Sequence, residues 1–136
     1  MILLDIATYL ASTLNMTLGV DVFYEAIPST PDLVVIVREP RDGGYIPPQL
    51  ECDLRYIQVI IRDRTGSNAL AIANKCHKAF IYQDADMQNE PNGLISFIDN
   101  LCSSVAVQGN PRYDDIDDKG RRLYKFNAIV ATQRKY

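Results

Sequence analysis

Residues 54–80, LRYIQVIIRDRTGSNALAIANKCHKAF, change from one hydrophobic period to another near their middle. In the first part polar and apolar side chains alternate, with Ile57, Val59 and Ile61 on one side, which is typical of a strand in a sheet. In the second part apolar residues recur every three or four positions, which predicts a helix. The predicted buried face of this helix consists of Ala69, Ile72, Ala73, Cys76, Ala79 and Phe80. The stretch therefore predicts a long strand, Leu54 to Arg62, followed directly by a helix.

The chain before this stretch predicts one helix and two strands. Apolar residues recur at helical spacing from Ile2 to Thr17, and Gly19 is a candidate C-cap because glycine adopts the left-handed conformation freely. Residues 20–27, VDVFYEAI, are rich in β-branched and aromatic side chains and stop at Pro28, which predicts a strand. Residues 33–38, LVVIVR, form a continuous apolar run, which favours a central strand covered on both faces.

The chain after this stretch predicts two more strands joined by an acidic turn. Residues 94–108 and 121–132 have strand-like patterns, and residues 109–120 between them are rich in Asp and Gly. Polar sequence with many turn-forming residues predicts loops at residues 41–53 and 83–93. The order of these elements places a hairpin at the C-terminal end.

Together the elements predict an α+β fold, with two helices packed on one side of a mainly antiparallel sheet and a C-terminal β-hairpin. The length of 136 residues suits one domain spanning residues 1–136. The predicted core consists of Ile6, Leu10, Val35, Ile57, Val59, Ile61, Ile72 and Phe80. A sheet with one bare face, or a hairpin that stands off the domain, needs a partner surface, and this is the first indication of assembly.

The composition argues against several classes of protein. The net charge of −3 gives no surplus of Lys and Arg for nucleic-acid phosphates, so no specific nucleic-acid partner is expected. No apolar run approaches the roughly 20 residues that span a bilayer, so we expect neither a membrane partner nor a signal peptide. The three cysteines, Cys52, Cys76 and Cys102, form no CxxC pair, so neither a disulfide framework nor a zinc site is predicted.

No group of residues forms a pattern that predicts catalysis. Cys76 and His77 are neighbours on the predicted helix and point about 100° apart, so they do not face each other as a nucleophile and base would. The acidic turn lacks the register of a calcium loop, and no phosphate-binding motif follows Gly43 and Gly44. We therefore predict no catalytic residue, metal site or cofactor and no enzyme activity. A small enzyme or ligand-binding domain is the alternative from another class.

The predicted hairpin carries the strongest candidate for a binding surface, an interface between subunits. Its charged and aromatic residues are Asp114, Asp115, Asp117, Asp118, Arg121, Arg122, Tyr124, Lys125 and Phe126. The acidic turn of one copy would face the basic strand of the next copy, and the aromatic side chains would anchor the contact. The alternative is a solvated turn beside an edge strand whose charges prevent unwanted pairing.

The same hairpin resembles a known family of proteins. Residues 111–114 (PRYD), 118–121 (DKGR) and 123–130 (LYKFNAIV) are similar to the closing hairpin of siphophage tail terminator and minor capsid proteins. In that family a proline-containing turn leads to a D-x-x-G-[RH] motif, and an aromatic strand with a recurring F-N follows. The order of helices and strands is similar over nearly the whole chain, whereas residues 41–53 and the acidic turn have no assigned counterpart in the family pattern.

This resemblance implies a structural virion protein. Its subunits would form a homo-hexameric ring on the finished tail tube, end polymerisation of the major tail tube protein and present a surface to the head–tail connector proteins. The ring would lie at the end of the tail proximal to the head, after assembly in the host cytoplasm. The alternative within the same class is another neck or head-completion protein of a phage.

Overall fold

The computed structural model describes residues 2–39, 52–80 and 102–133, and these residues form two helices and five strands. The elements in chain order are α1 (Ile2–Leu14), β1 (Val22–Tyr24), β2 (Val34–Arg38), β3 (Cys52–Asp63), α2 (Gly66–Phe80), β4 (Cys102–Ile116) and β5 (Arg122–Gln133). The predicted loop at residues 83–93, most of the predicted loop at residues 41–53 and the first part of the strand predicted at residues 94–108 lie outside the described residues.

The strands form one sheet in the order β1-β2-β3-β5-β4. β1 and β2 are parallel, whereas the other neighbouring strands are antiparallel. Both helices pack on the same face of the sheet, and β4 and β5 form the C-terminal hairpin. The predicted α+β class, with a mainly antiparallel sheet and two helices on one side, is confirmed. Neither described helix is long and apolar enough to cross a membrane.

The main hydrophobic core lies between the helices and the sheet. Ile57, Val59 and Ile61 of β3 are fully buried there beside the apolar faces of α1 and α2. All eight predicted core residues belong to this cluster, and the six residues predicted for the buried face of the second helix are buried in it. α2 starts directly after Thr65, whose carbonyl accepts the Ala69 amide at 3.0 Å. The two hydrophobic periods of this stretch therefore predicted its structure correctly.

The opposite face of the sheet carries a smaller apolar cluster. Val34 and Ile36 of β2 are fully buried there beside Ile60 of β3, and Phe23 and Leu123 pack against them. The alternate residues of β2 are buried in the main core. β2 is therefore covered on both faces, as its continuous apolar run predicted.

α1 ends earlier than its hydrophobic pattern predicted. Asn15 follows the last helical residue with a φ of 56°, which is the left-handed region. The Met16 amide donates to the Ala11 carbonyl at 2.9 Å, and the Asn15 amide donates to the carbonyl three residues before it at 3.4 Å. This pair of hydrogen bonds is a Schellman motif, in which Asn takes the place usually held by glycine. The prediction of Gly19 as the C-cap is therefore wrong.

β1 is also shorter than predicted and covers only three residues. Glu25, directly after it, has a φ of 71° and turns the chain away from the strand direction. Before it, residues 17–21 form a tight turn in which the Thr17 carbonyl accepts the amides of Val20 (3.0 Å) and Asp21 (3.1 Å). Asp21 Oδ1 accepts the Thr17 amide at 2.7 Å and closes this turn. The β-rich composition located the strand, and these two turns limit its length.

The region predicted as an acidic turn is mostly strand. β4 continues to Ile116, so the prediction that this strand ends at Gln108 is wrong. The turn itself is confined to residues 117–120, where the Gly120 amide donates to the Asp117 carbonyl at 3.0 Å. The two strands of the hairpin are therefore paired almost as far as the turn.

β4 accommodates its turn-forming residues in β-bulges. Its register with β5 shifts between Cys102 and Ser104, between Gln108 and Arg112, and between Tyr113 and Asp115. Gly109, between Gln108 and Arg112, has a φ of 75°, which glycine adopts without strain. Glycine inside a strand is typical of a bulge, and a sequence pattern alone does not distinguish a bulge from a turn.

Candidate assembly interface

The hairpin turn is closed by a buried arginine. Arg121 is 3% exposed, and it donates from its backbone amide to Asp117 Oδ1 (2.8 Å) and from Nε to Asp117 Oδ2 (2.7 Å). The Lys119 amide donates to Asp117 Oδ1 as well, at 3.1 Å. Partial burial raises the pKa of Asp117, but the hydrogen bonds from Arg121 and Lys119 outweigh it, so the pKa is lowered. Asp117 therefore fixes the turn within its own subunit.

Arg121 also ties the turn to the segment between β1 and β2. Its Nη1 donates to the Ser29 carbonyl at 2.6 Å and lies 3.6 Å from Asp32 Oδ1. The other carboxylate oxygen of Asp32 accepts a hydrogen bond from Arg64 Nε at 2.5 Å. This hydrogen bond from Arg64 is the main reason that the pKa of Asp32 is lowered. Asp32 therefore bridges two arginines that lie far apart in the sequence.

A second buried arginine holds the same segment. Arg62 of β3, also 3% exposed, donates from Nη1 to the Pro28 carbonyl (2.6 Å) and from Nη2 to the Pro31 carbonyl (2.7 Å). Its pKa is lowered by burial first and by the nearby charge of Arg121 second. Because Arg62 shares a strand face with the buried Ile60, these contacts place residues 28–31 over the sheet face opposite the helices.

A second ion pair lies inside the hairpin itself. Lys125 Nζ is 2.8 Å from Asp114 Oδ1. The sequence analysis predicted that four aspartates of this hairpin face a basic strand of another copy. Two of them, Asp114 and Asp117, are instead paired with basic residues of the same hairpin. The structure thus brings the acidic and basic residues together within one copy. Asp115 and Asp118 form no ion pair among the described residues.

Two of the nine predicted interface residues are buried inside the subunit. Phe126 is 2% exposed and packs edge-on against the rings of Phe80 and His77, with centroids 5.4 Å away in each case. The expectation that Phe126 is exposed is wrong, because it lies on the face of β5 that α2 covers. Arg121 is the other buried residue. Exposed residues of the predicted set are Asp114, Asp115, Asp118 and Arg122, and half-buried ones are Asp117, Tyr124 and Lys125.

Two exposed apolar side chains of β4 were missing from the prediction. Tyr113 is 52% exposed and Ile116 is 46% exposed. Tyr113 packs edge-on against Tyr124, with ring centroids 5.7 Å apart, and Ile116 is opposite Arg122 in the register. Because Tyr124 contacts the main core, these side chains lie on the helix-side face of the hairpin. The sequence analysis missed them because it predicted a turn here. The alternation of a strand indicates which side chains share a face, and a turn has no such pattern.

The neighbouring Cys76 and His77 of α2 have different surroundings. Cys76 is fully buried in the core, and burial raises the pKa of its thiol to about 12. His77 Nε2 lies 2.9 Å from the Gly109 carbonyl, and its ring packs edge-on against Phe126. His77 therefore anchors the bulge of β4 at Gly109 to α2.

Two carboxylates close to the ends of β2 form ion pairs with arginines. Asp32 is paired with Arg64, and Glu39 Oε1 lies 2.6 Å from Arg55 Nη2. Within residues 2–39, 52–80 and 102–133 no group of three or more potential metal ligands occurs. These ion pairs join residues that flank β2 to β3 and to the residue after it. Their carboxylates therefore have a structural role.

A comparison with protein families gives a match over most of the chain. A family model described as bacteriophage tail terminator protein matches residues 9–134. The matched span includes every described strand, the second helix and both strands of the C-terminal hairpin. No curated protein matches the chain.

Proposed function

The chain belongs to the bacteriophage tail terminator family, and from this premise we propose that it closes the tail tube as a ring of identical subunits. Membership makes it a structural component of a phage virion. In the proposed role, six copies form a ring on the finished tube, stop the addition of major tail tube protein and present a surface to the head–tail connector proteins. The ring would lie at the head-proximal end of the tail, after assembly in the host cytoplasm. The family match over residues 9–134 carries this proposal.

Two properties of the hairpin support its use as the assembly contact. β4 is an edge strand of the described sheet, so no strand of the described residues pairs with its outer side. Tyr113 and Ile116 expose large apolar side chains near its end. Exposed apolar groups rimmed by charged ones are typical of protein–protein contacts. A ring held by such contacts ends polymerisation through shape and interface energy, with no bond made or broken.

The ion pairs inside the hairpin change which residues are proposed to reach a neighbour. Asp117 is held by Arg121 and Asp114 by Lys125, so these charges stabilise the hairpin itself. Of the original candidates, Asp115, Asp118 and Arg122 remain exposed and outside those pairs. The proposed contact therefore consists of these charges and the apolar side chains of β4.

A tail-length assay tests the proposal. Phage complemented with the double variant Tyr113→Ser and Ile116→Ser should produce overlong or headless tails in electron micrographs, because the ring loses its apolar contact. Both side chains are about half exposed, so the purified variant should lose only the edge contact between Tyr113 and Tyr124, and its unfolding midpoint should fall slightly. The matched control is Lys75→Ser with Lys78→Ser, which changes two exposed residues of α2 and should leave tail length normal.

Two outcomes separate the parts of this proposal. Tails of normal length in a phage that lacks this protein altogether would contradict the terminating role. If the phage without the protein makes abnormal tails but the hairpin variant makes normal ones, the terminating role stands and the hairpin is excluded as the contact.

A further inference from the structure

The exposed large apolar side chains of the described residues lie at two opposite edges of the sheet. They are Leu18 (36%), Val20 (57%), Ile27 (43%), Tyr113 (52%) and Ile116 (46%). The first three flank β1 and the last two belong to β4, and these two strands are the first and last in the sheet order. Each described subunit therefore has exposed apolar groups on both sides, which suits contacts with two neighbours.

Two of these exposed surfaces, the turn at residues 17–21 and the pair Tyr113 and Ile116, lie at the same end of the sheet. The turn at residues 17–21 immediately precedes the start of β1, which lies beside the start of β2 because the two strands are parallel. From the start of β2, the register crosses the sheet in a row formed by Val34, Arg62, Leu123 and Asp115. Asp115 lies between Tyr113 and Ile116 in β4. The two surfaces therefore stand at nearly the same height along the strands, on opposite edges.

The two surfaces also differ in charge. Residues 1–37 contain no Lys or Arg, and the charged residues next to β1 are Asp21 and Glu25. On the hairpin, the charged residues that form no ion pair among the described residues are Arg112, Asp115, Asp118, Lys119 and Arg122, three of them positive and two negative. An acidic edge and a slightly basic edge are complementary, which favours contact between unlike edges over contact between like edges.

The irregular backbone of β4 indicates how a neighbouring copy would contact this edge. The register of β4 with β5 shifts at three places, and these irregularities break the regular row of backbone groups that another strand would need for pairing. The neighbour is therefore expected to meet side chains rather than extend the sheet. Tyr113 is well suited to this, because a tyrosine gives a large contact area for little conformational entropy.

We propose that the hairpin patch (Tyr113, Ile116 and Arg122) of one copy docks on the acceptor turn (residues 17–21, with Leu18, Val20 and Asp21) of the next copy in the ring. The inference rests on the proposed ring and names the two surfaces that build it. A contact between different surfaces closes into a ring when successive copies are rotated without translation, and otherwise produces a helical filament. The equal height of the two surfaces keeps the translation small, so the contact favours a ring.

Disulfide cross-linking tests which surfaces meet. The background is Cys52→Ser, Cys76→Ala and Cys102→Ser, so that no natural thiol contributes. In that background Val20→Cys together with Ile116→Cys should form a ladder of covalent oligomers, ending at the closed ring, when rings are assembled on tail tubes and oxidised. Either new cysteine alone should give only monomers, because each residue meets a different residue of the neighbour.

The control moves one cysteine to the outward face of α2. Lys75→Cys combined with Ile116→Cys should give no ladder. Rings that form without a ladder in the test variant would overturn the docking of these two surfaces and leave the proposed ring intact. A covalent dimer from a single-cysteine variant would also overturn it, since that result means that like surfaces meet. Failure of the natural protein to form any ring on tubes contradicts the proposed function itself.

Changing charges at the proposed contact gives a second test, in which ring association of folded subunits is measured. Val20→Lys places a positive charge opposite Arg122 of the neighbour, and it should weaken ring association by about tenfold or more, since central contacts dominate interface energy. Adding Ile116→Glu to the same chain should recover part of this loss. Both side chains are exposed, so folding is checked by circular dichroism. The absence of recovery in a folded double variant would overturn the proposed contact.

Discussion

Arg121 joins the hairpin turn, the segment after β1 and the carboxylate of Asp32 at one point. A buried guanidinium is costly to desolvate, and it is tolerated only when its N–H groups and charge find partners. Asp117 supplies the carboxylate, and the Ser29 carbonyl supplies a further acceptor. The sequence alone placed both charged residues on an exposed interface. Their actual role is to fix the turn so that the neighbouring side chains are held in place.

At this scale we expect Asp117→Asn to lower the thermal unfolding midpoint at pH 7, because Arg121 keeps its burial and loses its counter-charge. The lowered pKa of Asp117 means that its contribution to stability is present above the unfolded pKa of about 3.9 and is lost as pH falls through the folded value. The difference between variant and natural protein should therefore shrink below about pH 4. Calorimetry from pH 7 to pH 2 measures it.

The matched control for this experiment is Asp118→Asn, one residue away. Asp118 is exposed and forms no ion pair among the described residues, so its midpoint should stay close to that of the natural protein. Equal midpoints for the two variants at pH 7 would contradict the role given to Asp117.

Among the elements, β3 is the central strand of the described sheet. It pairs with β2 on one side and β5 on the other, and its two faces contribute to separate apolar clusters. The hairpin strand β4, in contrast, lies at the edge and is anchored to α2 where His77 meets the carbonyl of Gly109. Stability therefore resides in the centre of the sheet, and the exposed groups lie at its edges.

We expect Ile57→Ala and Ile61→Ala each to reduce the free energy of unfolding by about 2–5 kcal/mol, the cost of truncating a large aliphatic residue in a packed core. Both side chains are fully buried in the main core. The control is Ile27→Ala, which makes the same chemical change at a residue that is 43% exposed and should cost much less. Urea denaturation followed by circular dichroism compares the three, and equal values would contradict the assignment of the faces of β3.

On the scale of the whole molecule, charge is unevenly distributed. Residues 1–37 carry no Lys or Arg, whereas the hairpin carries basic residues beyond those used in its own ion pairs. Buried pairs such as the one formed by Arg121 are weakly screened, but exposed charges are screened within about 10 Å at 0.1 M salt. Salt is therefore expected to affect contacts between copies more than the stability of one copy.

This difference gives a prediction about assembly. Raising NaCl from about 0.05 M to about 0.5 M should reduce ring association measured by light scattering or native mass spectrometry, because it screens the complementary edges. The unfolding midpoint of the subunit should change little over the same range. Association that is unchanged by salt would show that the contact is apolar alone and that the charges at the two edges do not contribute.

Much of the architecture was readable from the sequence because hydrophobic periodicity is a local property. The alternation in residues 54–62 and the helical spacing after it depend only on which side chains must leave water, so they located β3, α2 and five of the eight predicted core residues correctly. The same reasoning identified β2 as a strand covered on both faces. It erred at element ends, where Asn15 replaced Gly19 as the cap and bulges replaced the turn after Gln108.

Only the tertiary structure decided which charges and aromatic groups are available to a partner. Nothing local to Arg121 reveals that the Ser29 carbonyl, 92 residues away, lies within reach, or that α2 covers Phe126. Exposure of Tyr113 likewise depends on the sheet order, which places β4 at an edge. The physical reason is that a side chain's partners and exposure depend on contacts between distant segments, and these contacts exist only once the chain is folded.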